Sequence, residues 1–162
     1  MATIEDFCGH LPVRAYPAGE VLLPENQSTG RLFVLVDGEV EILKADFLIN
    51  VVSDRGAVFG EMSALLGAPH MATVRTTRPS TMYAIEDGAG FLQSNKEAAF
   101  FVAGLLAQRL HGVTAYLVDL KRQFADQTSH LGIVDEILES LVNEQRTEFT
   151  PGSDREPDEP ED

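Results

Sequence analysis

The sequence changes rhythm at Glu86, and that change limits what the chain can become. From Val13 to Glu86, short apolar runs are broken by glycine, proline and acidic residues, which is how turns punctuate strands. Pro17-Ala18-Gly19-Glu20 leads into Val21-Leu22-Leu23, and Arg31 to Val36 is a strongly apolar strand. Asp37-Gly38 is the best hairpin signal, because a tight primed turn needs positive φ. Glu39-Val40-Glu41-Ile42-Leu43 alternates polar and apolar as a half-buried strand does. Phe47 to Val52, Met71 to Thr76 and Thr81 to Ile85 continue the series. Short antiparallel strands at this spacing predict a small barrel or sandwich, here a β-roll.

After Glu86 the pattern turns helical. No proline interrupts Asn95 to Gln127, and Leu106, Leu110, Val113, Leu117, Leu120 and Phe124 step by four and three in alternation. That is a heptad seam, narrower than the stripe of a helix lying wholly on a globular core. These six residues are the expected dimer interface, because a parallel pair buries a seam that one copy leaves in water. Thr128-Ser129 reads as the cap of a second helix from His130 to Gln145, with Leu131, Val134, Leu138 and Leu141 at heptad spacing and Ile137 widening the stripe. Whether the two helices are continuous is open, with Gly132 as a candidate kink. Thr150 to Asp162 is acidic and proline-punctuated, the composition of a disordered tail. The expected organisation is a β-roll domain with its long helix over residues 1–127, a short helix over 128–147 and a tail over 148–162.

Composition narrows the partners. A chain of 162 residues with 44% hydrophobic content suits one domain with a real core. Its net charge of −14 repels phosphate backbones and anionic lipid surfaces, so neither nucleic acid nor a membrane is expected as a partner. No apolar stretch approaches the roughly 20 residues of a membrane span, and the N-terminus lacks the pattern of a secretory signal. A cytoplasmic location follows as the expectation. The lone Cys8 allows no internal disulfide and reads as a small buried hydrophobe.

The stretch Phe59-Gly60-Glu61-Met62-Ser63-Ala64-Leu65-Leu66-Gly67-Ala68-Pro69-His70-Met71-Ala72-Thr73-Val74 carries the chemistry. A short helix with free backbone N–H groups in its first turn suits an anion, and Gly60 lets a backbone approach closely. With Gly19, Gly38 and Gly56 in place, the stretch resembles the phosphate-binding cassette of cyclic nucleotide-binding domains, and the likeness runs from about Leu11 to Phe124. The resemblance implies a mainly β fold with α: a β-roll (double-stranded jelly roll) with a short cassette helix and a long C-terminal dimerisation helix. It implies cAMP or cGMP as ligand and no other cofactor. Gly60, Glu61, Met62, Ser63, His70, Met71, Ala72, Thr73 and Thr114 are the corresponding ligand-binding positions. Glu61 would accept the ribose 2′-OH, the Ser63 and Ala72 amides would face the phosphate with Met71 beside them, and Thr73 would lie near phosphate or base. Thr114 is the best-placed polar group on the long helix for contacting a base, and equally reads as a threonine bonded to its own backbone. Phosphate capture would tighten the cassette helix and shift the long helix against the roll.

His70 departs from the family, which places arginine there. A guanidinium grips two phosphate oxygens with a permanent charge, whereas histidine offers one donor and is partly charged near neutrality. Met71 is bulkier than the small residue the family prefers. Arg75 and Arg78 follow closely and read as solvated strand-end charges rather than as replacements. Three readings stay open: a cyclic nucleotide still binds, weakly or only to protonated His70; the pocket is vestigial and the fold is a dimeric interaction module for an unknown protein partner; or the pocket takes another small anion. The family's bacterial regulators continue into a basic helix-turn-helix, and no such segment follows Phe124. Catalysis has little support, since His10, His70, His111 and His130 lack zinc-ligand spacing. Ser63 and His70 are a Ser–His pair on paper, but no acidic orienting partner is evident.

Overall fold

The computed structural model describes residues 4–124 and 131–143. In chain order the elements are α1 (Ile4–Cys8), β1 (Val13–Tyr16), β2 (Val21–Leu23), β3 (Leu32–Asp37), β4 (Val40–Lys44), β5 (Phe47–Val52), β6 (Val58–Phe59), α2 (Glu61–Leu66), β7 (Thr73–Thr76), β8 (Ser80–Ile85), α3 (Gly88–Ser94), α4 (Lys96–Gln123) and α5 (Leu131–Asn143). Their contacts group into one unit through Arg109 and another from Leu110. The strands form two antiparallel four-stranded sheets, ordered β1-β8-β3-β6 and β2-β7-β4-β5, which is the β-roll the sequence predicts.

The strongly apolar β3 is explained by burial on both faces. Leu32 and Val34 join Ile4, Cys8, Val58, Ile85, Leu92, Ala98 and Val102, where α1, α3 and the start of α4 cover the first sheet. Phe33 and Leu35 point the other way, into a cluster with Leu22, Leu23, Val40, Phe59, Val74, Met82 and Ala84 contributed by both sheets. Strand alternation sends consecutive side chains to opposite cores, so β3 has no face left for polar residues. Phe33, 2% exposed, contributes about 3 kcal/mol by burial. Cys8 is fully buried, and burial, with Glu5 adding to it, pushes its thiol up to about 11, so it packs as a hydrophobe.

The Asp37-Gly38 hairpin expectation is corrected. Gly38 has φ +122°, but β3 and β4 belong to different sheets, so the dipeptide is a crossover rather than a hairpin turn. Glycine is required there for space as well, because a Cβ would collide with the side chain of Ser80. The two-residue hairpin is instead Ala45-Asp46, between paired Lys44 and Phe47, with both turn residues at positive φ (+47° and +67°). Its tip is held by Glu25, which accepts from the Ala45 N–H at 3.0 Å and pairs with Lys44 at 3.2 Å. Those two donors draw the Glu25 carboxyl below its ordinary pKa.

Two short helices escape the sequence reading, α1 and α3. The second is capped by Asp87, which accepts from the Gly90 N–H at 3.0 Å. The long helix begins after Asn95, whose side chain caps the Ala98 N–H at 3.0 Å, and is described to Gln123, with residues 125–127 of its expected range outside the described residues. This helix is long and apolar enough, by length and composition only, to cross a membrane, contrary to the expectation that no stretch would be. At its N-terminal end Ala98 and Val102 are fully buried against the roll, while most of the apolar span is not buried. The second helix is described over Leu131–Asn143, with the remaining residues of its expected range, His130, Glu144 and Gln145, outside the described residues, and Lys121 of α4 pairs with Asp135 on it. Thr128, Ser129 and the acidic tail lie outside the described residues.

Candidate functional site

β6 runs directly into α2 through Gly60, which sits at φ +89° as the residue before the helix. A Cβ at this position would meet the carbonyl of Arg31, so chain direction and space both demand glycine. Gly67, also left-handed at φ +62°, ends the helix by turning its N–H back to the Ser63 carbonyl. The cassette is thus a single short helix pinned by glycine at both ends.

Beside it lies a cavity of about 310 Å³ within the first unit. Its walls are mostly apolar, from residues such as Leu23, Ile42, Ile49, Val52, Phe59 and Val74. The polar wall is formed by Glu61, Ser63, His70, Asn50 and Arg109. A largely apolar hollow with a few convergent polar groups is the usual form of a small-molecule site. Of the expected binding residues, Gly60, Glu61, Met62, Ser63, His70, Met71 and Ala72 all line it. Thr73 does not: strand alternation turns it outward, where its Oγ1 accepts from the Glu25 N–H at 3.1 Å. Thr114 belongs to the second unit, and its hydroxyl donates to the Leu110 carbonyl of its own helix at 2.8 Å.

Glu61 is 4% exposed, and its carboxylate accepts a hydrogen bond from Arg109 Nη1. Arg109 projects from α4 and is the partner that sequence reasoning missed. It stands off the heptad seam, and nothing in its local sequence links it to a residue 48 positions earlier. The pair matters because a buried carboxylate without a partner is strongly destabilising, and Arg109 supplies that partner here.

His70 is 3% exposed and committed on both sides. Its Nε2 lies 2.7 Å from Thr29 Oγ1 and its Nδ1 3.0 Å from Ser63 Oγ. In the neutral ring one nitrogen donates and the other accepts, and each hydroxyl takes the complementary role. Burial pushes the imidazole below its ordinary 6.5, so it is neutral at physiological pH. Its backbone is held too, with its N–H on Gln27 O at 2.9 Å and its carbonyl taking the Asn26 N–H at 2.8 Å. His70 therefore knits the loop before β3 to the cassette, and its ring has no nitrogen left for a ligand. The Ser63–His70 contact exists, but the third member is the Thr29 hydroxyl, which cannot stabilise an imidazolium as a carboxylate does.

Neither nearby arginine replaces the missing one. Arg75 Nε donates to Glu41 Oε1 at 2.7 Å across β7 and β4, and Arg78 donates to the Gly38 carbonyl at 3.1 Å. Lys44 reaches the cassette from outside, donating to the Met71 carbonyl at 2.7 Å. Among the described residues no group of three His, Cys, Asp or Glu is arranged to hold a metal ion.

Comparison with known proteins locates the pattern. The family model for the cyclic nucleotide-binding domain matches residues 13–92. Among solved structures, the catabolite activator protein of Thermus thermophilus is 22% identical with a TM-score of 0.62, covering 73% of this chain and 58% of its own. PKAR CBD2 bound to Sp-2Cl-cAMPS gives 22% identity and a TM-score of 0.57, over 74% of this chain and 80% of its own. The N-terminal domain of a transcriptional regulator from Streptomyces coelicolor A3(2) gives 20% and 0.52, over 69% and 82%. The chain thus spans little more than half of the Thermus protein's length, and identities this low establish the fold alone. No curated protein sequence matches.

Proposed function

Because residues 13–92 are a cyclic nucleotide-binding domain, we propose that this chain is a cytoplasmic, non-enzymatic regulatory module whose cassette cavity takes a cyclic nucleotide by its ribose. The observation that carries the reading is Glu61: a buried acceptor, partnered by Arg109, in the wall of a cavity large enough for a small ligand. A ribose hydroxyl entering the cavity competes with Arg109 for the same carboxylate. Occupancy is thereby felt by α4, the helix that carries Arg109 and runs on to Gln123. Self-association through Leu110 and Val113, exposed on that helix, and Phe124, exposed just past its end, is the proposed output.

Titration with cAMP and with 2′-deoxy-cAMP tests the ribose contact. Loss of a hydrogen bond to a charged group weakens binding about tenfold to hundredfold, so the deoxy ligand is expected to fall by that factor and Glu61→Gln to erase the difference. Equal affinity for both ligands would remove Glu61 from recognition. A specific observation also favours a second reading, an interaction module with a retired pocket: both His70 nitrogens are satisfied inside the protein. Absence of heat from any ribose ligand up to millimolar concentration would favour it.

A further inference from the structure

We infer that the cavity selects an uncharged ribonucleoside over a cyclic nucleotide, its carboxylate gripping the free 2′,3′-diol; this rests on the ribose reading of Glu61 above. The walls contain one anion and one cation, Glu61 and Arg109, and these are paired with each other. His70 contributes no charge and no free nitrogen, because Thr29 and Ser63 occupy its ring. Lys44 and Arg75, the cations nearest the cassette in sequence and sheet, are tied to Glu25 and Glu41. A ligand carrying a phosphodiester monoanion would enter a mostly apolar hollow with no unpaired cation to meet it, which is a heavy desolvation penalty.

The diol makes the converse case. A carboxylate has two oxygens and accepts two hydroxyl donors side by side. An uncharged nucleoside presents vicinal 2′- and 3′-hydroxyls, whereas in a 3′,5′-cyclic nucleotide the 3′-oxygen is esterified and only the 2′-hydroxyl can donate. The apolar walls from Leu23, Ile42, Val52 and Val74 suit a base. Met71, next to His70, adds a further apolar side chain to the wall.

Calorimetric titration of the full chain with adenosine, guanosine, cAMP, cGMP, 2′-deoxyadenosine and 3′-deoxyadenosine decides the matter. The nucleosides are expected to bind at least tenfold more tightly than their cyclic nucleotides, and removal of either hydroxyl to weaken adenosine about tenfold. A cyclic nucleotide that binds as tightly as its nucleoside, or a 3′-deoxy ligand indistinguishable from adenosine, would overturn the inference while leaving the ribose site standing. No binding by any of the six would bring down both.

Discussion

His70 shows at the scale of one residue how partners decide charge. The imidazole is wrapped by two hydroxyls, and the charged groups on the same cavity wall, Glu61 and Arg109, are spent on each other. Burial lowers its folded pKa below the ordinary 6.5, so the unfolded chain binds more protons in the range between the two values. The stability contributed by the neutral ring is fully present above about 6.5 and is lost as pH falls from there toward the lower folded pKa. Urea denaturation at pH 7.5 and 5.5 is expected to show a larger loss for the wild type than for His70→Gln, which keeps a donor and an acceptor but does not titrate. An equal loss in both would place the acid sensitivity in other groups. Protonation thus acts first on the join between cassette and loop, which differs from the idea of a charge gained for a phosphate.

At the scale of elements, the β4–β5 hairpin carries a measurable strain. Ala45 sits at φ +47°, a conformation that disfavours a residue with a Cβ by about 1–2 kcal/mol. Ala45→Gly relieves this and returns about 0.4–1 kcal/mol in unfolded-chain entropy, so a net stabilisation of about 0.5–1 kcal/mol is expected in chemical denaturation. A destabilised variant would mean that Glu25, through its bond to the Ala45 N–H, holds the turn without strain. The same hairpin marks what the sequence could and could not disclose. Strand periodicity located β3, β4 and β5, because burial forces a period of two wherever one face is in water and a continuous apolar run where neither is. Turn chemistry misled, because Asp37-Gly38 is as suited to a crossover beside Ser80 as to a hairpin, while Ala45-Asp46 bears no glycine at all. In the site, the contiguous cassette was legible, and Glu61, Ser63, His70 and Ala72 do meet at one cavity. The roles of Thr29 and Arg109 were not. Both depend on long-range closure, 41 and 48 residues apart in sequence, which no local pattern encodes.

At the scale of the whole molecule, the question is what covers the apolar side of α4. Leu106, first of the heptad residues, is partly buried against the core of the first unit, so its packing is already met by the chain itself. Beyond Arg109 the seam changes character: Leu110, Val113 and Phe124 are 45%, 52% and 46% exposed, with Leu117 and Leu120 half-buried. Burying each of these side chains against a second copy is worth about 1.5–3 kcal/mol, enough in sum to drive association once the entropy of pairing is met. Light scattering coupled to size exclusion is therefore expected to find a dimer at tens of micromolar chain. Val113→Asp places a charge at the centre of the seam, and Leu117→Asp one turn further, so each should give a monomer. Val113 is half-exposed and lies outside both apolar clusters, so the Val113→Asp monomer should keep the far-ultraviolet circular dichroism of the roll. A wild type that is monomeric across this range would refute the dimer. If the dimer holds, ligand can tune it only through unequal affinity for the paired and unpaired states. The Glu61–Arg109 contact, on the helix that also bears the seam, is the place where that inequality would arise.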